Sequence, residues 1–172
     1  MRSYAEKTAV SALFLAFGMI LSYVEAIIPL GAVIPVPGFK LGLASLAVTS
    51  AFFLLGFPYE LAVSLGKTLL TSLLFGSVTS FWFSLSGGAL VLITLGIYRL
   101  TKPKSLGCVG LSVICAAMHN VGQCLAASAI FGISVLIYYL PALLFAALAT
   151  GTATGVLLYL ILKHTKHIKA FS

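Results

Sequence analysis

The sequence predicts an all-α membrane protein, a bundle of six transmembrane helices with both termini on the cytoplasmic side. Three observations carry that prediction. The 172 residues are 61% hydrophobic and 8% charged, which excludes an ordinary soluble domain. Apolar runs of about 20 residues, the length a bilayer requires, recur with short breaks between them. When six spans are threaded from a cytoplasmic N-terminus, Arg2, Lys7, Arg99, Lys102, Lys104, Lys163, Lys166 and Lys169 all fall on one side, as the positive-inside rule demands. Only Lys40 and Lys67 fall elsewhere. Residues 1–172 read as one integral membrane domain, with spans near 8–28, 39–57, 59–75, 81–100, 106–131 and 134–162.

The first run is too long for the apolar core of a signal peptide and lacks a small-residue cleavage pattern, so it reads as a retained span. Ala9, Ala12 and Ala16 line one face of its first half, and small residues four apart let a second helix approach closely. Glu25 stands near its outer end, where a carboxylate can meet water. The segment Pro29–Gly38 holds three prolines and two glycines and cannot continue a helix. It is apolar for a loop and is expected to pack over the outer mouth of the bundle. Span two opens at Phe39-Lys40-Leu41-Gly42. Pro58 suits the first turn of span three, which carries Lys67 at mid-depth. Gly76–Ser80 forms an outer turn. Span four contains Trp82, fit for the interface, and Gly87-Gly88, which admits a neighbouring helix or bares backbone to a ligand. Span six holds Pro141, a kink signal, and the pair Gly151 and Gly155.

The net charge of +7 comes from 10 basic against 3 acidic residues, Glu6, Glu25 and Glu60, with no aspartate. The placement of the bases at span ends accounts for it by topology, so no nucleic-acid partner is expected. Cys108, Cys115 and Cys124 share one apolar run without a CxxC or Cys/His cluster, and read as reduced packing residues. No metal or cofactor is expected, and a lone mid-span His119 gives no haem ligand pair.

The polar residues of span five organise the rest. His119, Asn120 and Gln123 project from one helix face, because positions three and four apart are neighbours. Each costs several kcal/mol, on the order of a lost hydrogen bond in hydrocarbon, if left unpaired. Lys67 adds about 2.5–3.5 kcal/mol at bilayer depth. The topology places Lys67, Ser84, Ser86, Gly87, His119, Asn120 and Gln123 at one height, with Glu25 and Lys40 above them. The expectation is a pocket open to the outside, with Lys40, Lys67, Ser86, His119, Asn120 and Gln123 contacting an anionic or carbonyl-rich small molecule. The other reading of the span-five face, His119, Asn120 and Gln123, is a polar knot that locks helices together.

The outline resembles the substrate-binding S components of energy-coupling factor transporters: six spans, a small-residue face on span one and a long first outer loop. More narrowly, Pro37–Ala44, Ser72–Ser77, Phe83–Gly88 and His119–Gln123 resemble segments of a bacterial family that carries the labels Gx transporter and heptaprenyl diphosphate synthase component I. The first resemblance implies a bundle that binds its substrate from outside and docks Ala9, Ala12 and Ala16 on a membrane coupling subunit joined to cytosolic ATPase subunits. The chain has no GxxxxGK[ST] phosphate loop, so ATP hydrolysis falls to those partners. The second label implies a membrane component of quinone side-chain synthesis. Prenyl diphosphate synthases of the all-helical type hold Mg²⁺ through aspartate-rich motifs, and magnesium wants carboxylate oxygen. A chain without aspartate suits a non-catalytic accessory of such an enzyme, not its catalytic subunit. The localisation implied by both is the bacterial inner membrane.

Overall fold

A computed structural model describes residues 3–27, 42–101, 103 and 106–167, the side chains at 135, 136 and 165–167 excepted. Lys40, the segment 29–38, Arg2, Lys102, Lys104 and Lys169 lie outside the described residues. The described chain forms six helices: α1 (Tyr4–Ile27), α2 (Ser45–Leu55), α3 (Phe57–Phe75), α4 (Val78–Thr101), α5 (Cys108–Phe131) and α6 (Ser134–His167). Four of them, α1, α4, α5 and the Ile137–His164 part of α6, are long and apolar enough to cross a membrane. The protein is a multi-pass, all-helical membrane protein.

The second helix differs from the expected span over residues 39–57. At 11 residues it measures about 16 Å at 1.5 Å per residue, half of the roughly 30 Å hydrocarbon layer. Gly42, at φ 86°, closes it off at the upper end, because a left-handed residue cannot continue a right-handed helix. At the other end Gly56, at φ 96°, terminates it by donating its N–H to the carbonyls of Ala51 and Phe52. Pro58 then sits in the first turn of α3, where its missing N–H has no partner to lose. A short helix can lie at membrane depth because the bundle covers it: eight of its 11 residues are buried.

The register of the helices follows from a few close approaches. Helix α1 runs parallel to α3. Lys7 lies over the Tyr59 ring at one end, and Tyr23 meets Phe75 at the other, with ring centroids 5.0 Å apart. Helix α4 runs back along α3, with Phe57 against Gly96, Ser64 against Gly88 and Arg99 over the Phe57 ring. Helices α4 and α5 are antiparallel through Val91, Leu95, Leu111 and Cys115 at one level and Phe83, Cys124 and Ala127 at another. Leu143 of α6 joins the second cluster. The pair Gly151 and Gly155 brings α6 onto the backbone of α5: a Cβ at Gly151 would stand 2.6 Å from Val113 Cα, and one at Gly155 2.7 Å from Val109 Cα. These contacts put the starts of α1, α3 and α5 and the ends of α2, α4 and α6 at one end of the bundle, called here the Gly56 end.

Helix α1 buries only Ser11, Gly18, Ser22 and Glu25, a stripe at helical spacing. Its opposite face is apolar and exposed, as lipid contact allows.

Candidate functional site

The first turn of α2 lies inside the bundle, and three distant parts of the chain meet it. From α1, Glu25 is 2% exposed, and its Oε1 accepts the Leu43 N–H. The carboxylate therefore does not stand in water at the helix end, as its position in the sequence suggested. It caps the turn that leads into α2, where backbone N–H groups point and negative charge is favoured. From α5, the His119 ring is packed between two glycines. A Cβ at Gly42 would lie 3.5 Å from its Cδ2, and a Cβ at Gly87 would lie 2.7 Å from its Nδ1. From α3, the Lys67 stem lies along Gly18 of α1, which also meets Ala47 of α2. A Cβ at Gly18 would stand 3.2 Å from Lys67 Cδ and 3.1 Å from the Ala47 Cβ. Lys67 is 8% and His119 5% exposed.

Lys67 belongs to a buried polar face of α3 made of Glu60, Ser64, Lys67, Thr68 and Thr71. Those positions recur at three- and four-residue steps, so they form one stripe facing the neighbouring helices. Thr71 relieves its own burial by donating to the Lys67 carbonyl at 2.7 Å. On α5 the counterpart stripe is His119, Asn120 and Gln123, all buried.

Two predicted contact residues bind neighbouring backbone. Asn120 is fully buried and donates from Nδ2 to the Leu143 carbonyl of α6 at 2.7 Å, while its Oδ1 is buried without a partner among the described residues. Ser86 of α4 donates toward the Gly122 carbonyl of α5 at 2.9 Å and its own helix's Phe83 carbonyl at 3.1 Å. Both sit where helices cross closely. These bonds tie α4, α5 and α6 together around the region that holds His119. Asn120→Leu removes one such tie and is expected to lower the midpoint of thermal unfolding in detergent by the worth of one interhelical bond, about 0.6–2 kcal/mol. An unchanged midpoint would mean that the bond carries no net stability.

Sequence reading placed Lys67, His119 and Gln123 in the interior and Glu25 just above them, but missed Gly42, whose signal was a glycine four residues inside an apolar run. It gave no sign of Glu25's partner, because Leu43 is 18 residues away across a loop. Among the described residues no cluster of histidine, cysteine and acidic side chains could hold a metal ion.

The model of one protein family, heptaprenyl diphosphate synthase component I, matches residues 14–161. The chain belongs to that family. The match spans all six helices, including the turn before α2 and the polar faces of α3 and α5. No curated protein and no solved structure matches the chain.

Proposed function

We propose that this family member is the substrate-binding membrane subunit of an energy-coupling-factor type transporter, taking up a small molecule with partner subunits that hydrolyse ATP. The observation that carries the reading is the start of α2 within the bundle, beside Glu25, His119 and the Lys67 stem. A helix that begins at depth turns backbone amides and the positive end of its dipole inward, and interrupted helices of this kind form the ligand sites of many transporters. In this reading Lys67, His119 and Gln123 contact the ligand, together with Lys40 from the segment before α2. Ser86 and Asn120 hold the walls in register. With Glu25 as well as Lys67 buried in the same bundle, we take the ligand to be a carbonyl-rich or zwitterionic small molecule.

The Gly56 end is then cytoplasmic, since Lys7, Arg99 and Lys163 gather there, and the membrane is the bacterial inner membrane. The coupling subunit docks on the face of α1 that carries Ala9, Ala12 and Ala16. All three are exposed, and Ala16 edges a hollow of about 300 Å³ formed with Met19, Ile20, Tyr23 and Phe75. Ala12→Leu adds bulk to that face without touching the interior. It is expected to abolish cellular uptake and leave ligand occupancy of the purified subunit unchanged. Equal loss of both would move the docking face elsewhere.

The family's name favours a second reading, a non-catalytic membrane component that works beside another component of heptaprenyl diphosphate synthesis. Native mass spectrometry of the protein purified from its own membrane separates the two. A bound small molecule and an ATPase module support the transporter. A stable complex with a soluble prenyl synthase, empty of ligand, supports the synthase component.

A further inference from the structure

Glu60 is a fully buried acidic side chain for which neither the ligand region nor the docking face gives a use. It lies in the first turn of α3, is 0% exposed, and both of its carboxyl oxygens are buried without a hydrogen-bond partner among the described residues. Its surroundings follow from the helix register. Phe57 packs on Gly96 and Ser64 on Gly88, so Glu60, between them, faces the turn of α4 that runs from Val91 to Leu95. Cys115 of α5, which packs with Val91, Leu95 and Leu111, is near enough to interact electrostatically with Glu60. Phe52 and Phe53 of α2 and Tyr98 of α4 close the same cluster.

We propose that Glu60 is a proton-binding site in the interior of the bundle, separate from the ligand region around α2. The argument turns on which positive charge can reach the carboxyl group. An unpaired carboxylate moved out of water costs several kcal/mol even after relaxation. The start of α3 returns only about 0.3–1 kcal/mol of that through the helix dipole, up to about 2 in partly buried sites. Among the described residues, the charged groups nearby are otherwise engaged. Arg99 of α4 lies over the Phe57 ring and Lys7 of α1 over the Tyr59 ring. Lys67, seven residues further along α3, turns its stem to Gly18 of α1. Ser64 is one turn on, and Tyr98 and the Cys115 thiol offer no positive charge. A hard metal cation takes six or more oxygen ligands, whereas Glu60 faces aliphatic carbon, aromatic rings and sulfur. A proton needs no further ligand, so the group rests as the neutral acid. Any movement that wets the Gly56 end breaks the carboxyl O–H bond and passes the proton to water on that side, leaving the carboxylate hydrated. Intramembrane acids used in this way are how membrane proteins couple movement to proton release.

The test is infrared spectroscopy of the purified full chain in lipid vesicles at neutral pH. The protein is labelled with carbon-13 glutamate, so that only Glu6, Glu25 and Glu60 report. The expected result is a label-shifted carbonyl stretch of a protonated carboxylic acid that moves in heavy water, persists in high sodium or potassium chloride, and is absent from Glu60→Gln. No such band, or one that disappears when sodium is added, overturns the proposal. A second measurement is the pH dependence of unfolding. A group that keeps its proton in the folded state and loses it when unfolded makes folding less favourable as pH rises. Glu25, Lys67 and His119 are buried as well, so the comparison is with Glu60→Gln: the unfolding midpoint of the unaltered protein should fall more steeply from about pH 5 to about pH 9 than that of the variant, and equal slopes contradict a protonated Glu60.

Discussion

Gly122→Val leaves almost no folded protein to recover. A Cβ at this position would stand 2.6 Å from the Ser86 carbonyl oxygen, 2.7 Å from Gly87 Cα and 2.8 Å from Gly87 N. All three are backbone atoms of α4, so no rotamer change can make room. The helices must separate, and separation lengthens the Ser86 bond to the Gly122 carbonyl and lifts His119 from its seat on Gly87. Overpacking that side chains can absorb costs about 1–3 kcal/mol. A clash of backbone against backbone exceeds that range and takes up much of the roughly 5–15 kcal/mol that holds a typical protein folded. Size-exclusion chromatography of detergent extracts reads the effect as loss of the monodisperse peak. Gly88→Ala is the control, since its Cβ meets only the Ser64 hydroxyl at 3.4 Å and the peak should remain. A monodisperse Gly122→Val protein would show that α4 and α5 do not cross as closely as described.

Lys67→Met is expected to separate folding from binding. Methionine keeps most of the stem that lies along Gly18 while removing the ammonium group, so the bundle should assemble and elute normally. Truncating one partner of a buried, hydrogen-bonded charge pair costs about 2–5 kcal/mol of affinity, which is a loss of at least roughly thirtyfold. If the proposed ligand co-purifies, its occupancy, read by native mass spectrometry before and after dilution, measures it. Unchanged retention would remove Lys67 from the ligand contacts. A protein that fails to assemble would show that the lysine is structural. The neighbouring Asn120→Leu substitution provides the contrast, because it acts on the α5–α6 contact through the Leu143 carbonyl.

The polar face of α5 and the single Lys67 of α3 were legible in the sequence for a simple reason, whereas the rest of the α3 stripe was not read there. In a chain with so few charged and amide side chains, any such residue inside an apolar run must face protein or water, and helical spacing says which of them share a face. Lys67 and His119–Gln123 were found that way, and Gly151 with Gly155 by the spacing of small residues. The polar-knot reading of span five applies to Asn120, whose hydrogen bond goes to a backbone carbonyl of α6, and Ser86 of α4 is bound to backbone in the same way. Periodicity fixes the face of a helix but not the partner across from it, so it could not separate those two from their neighbours.

Hydropathy alone determined that this chain is helical and embedded in a membrane, and roughly where its long helices run, because the cost of bare backbone in hydrocarbon leaves few other structures. It could not reveal that the second apolar run holds a helix of only 11 residues. A short buried helix and a full span have the same composition when other helices, not lipid, cover the shorter one. Tertiary structure alone decided that Gly42 ends that helix beside His119 and that Glu25 caps the turn before it. It likewise left Glu60 buried with both carboxyl oxygens unpartnered among the described residues. Each of these depends on contacts between residues far apart in the chain, which local sequence pattern does not encode.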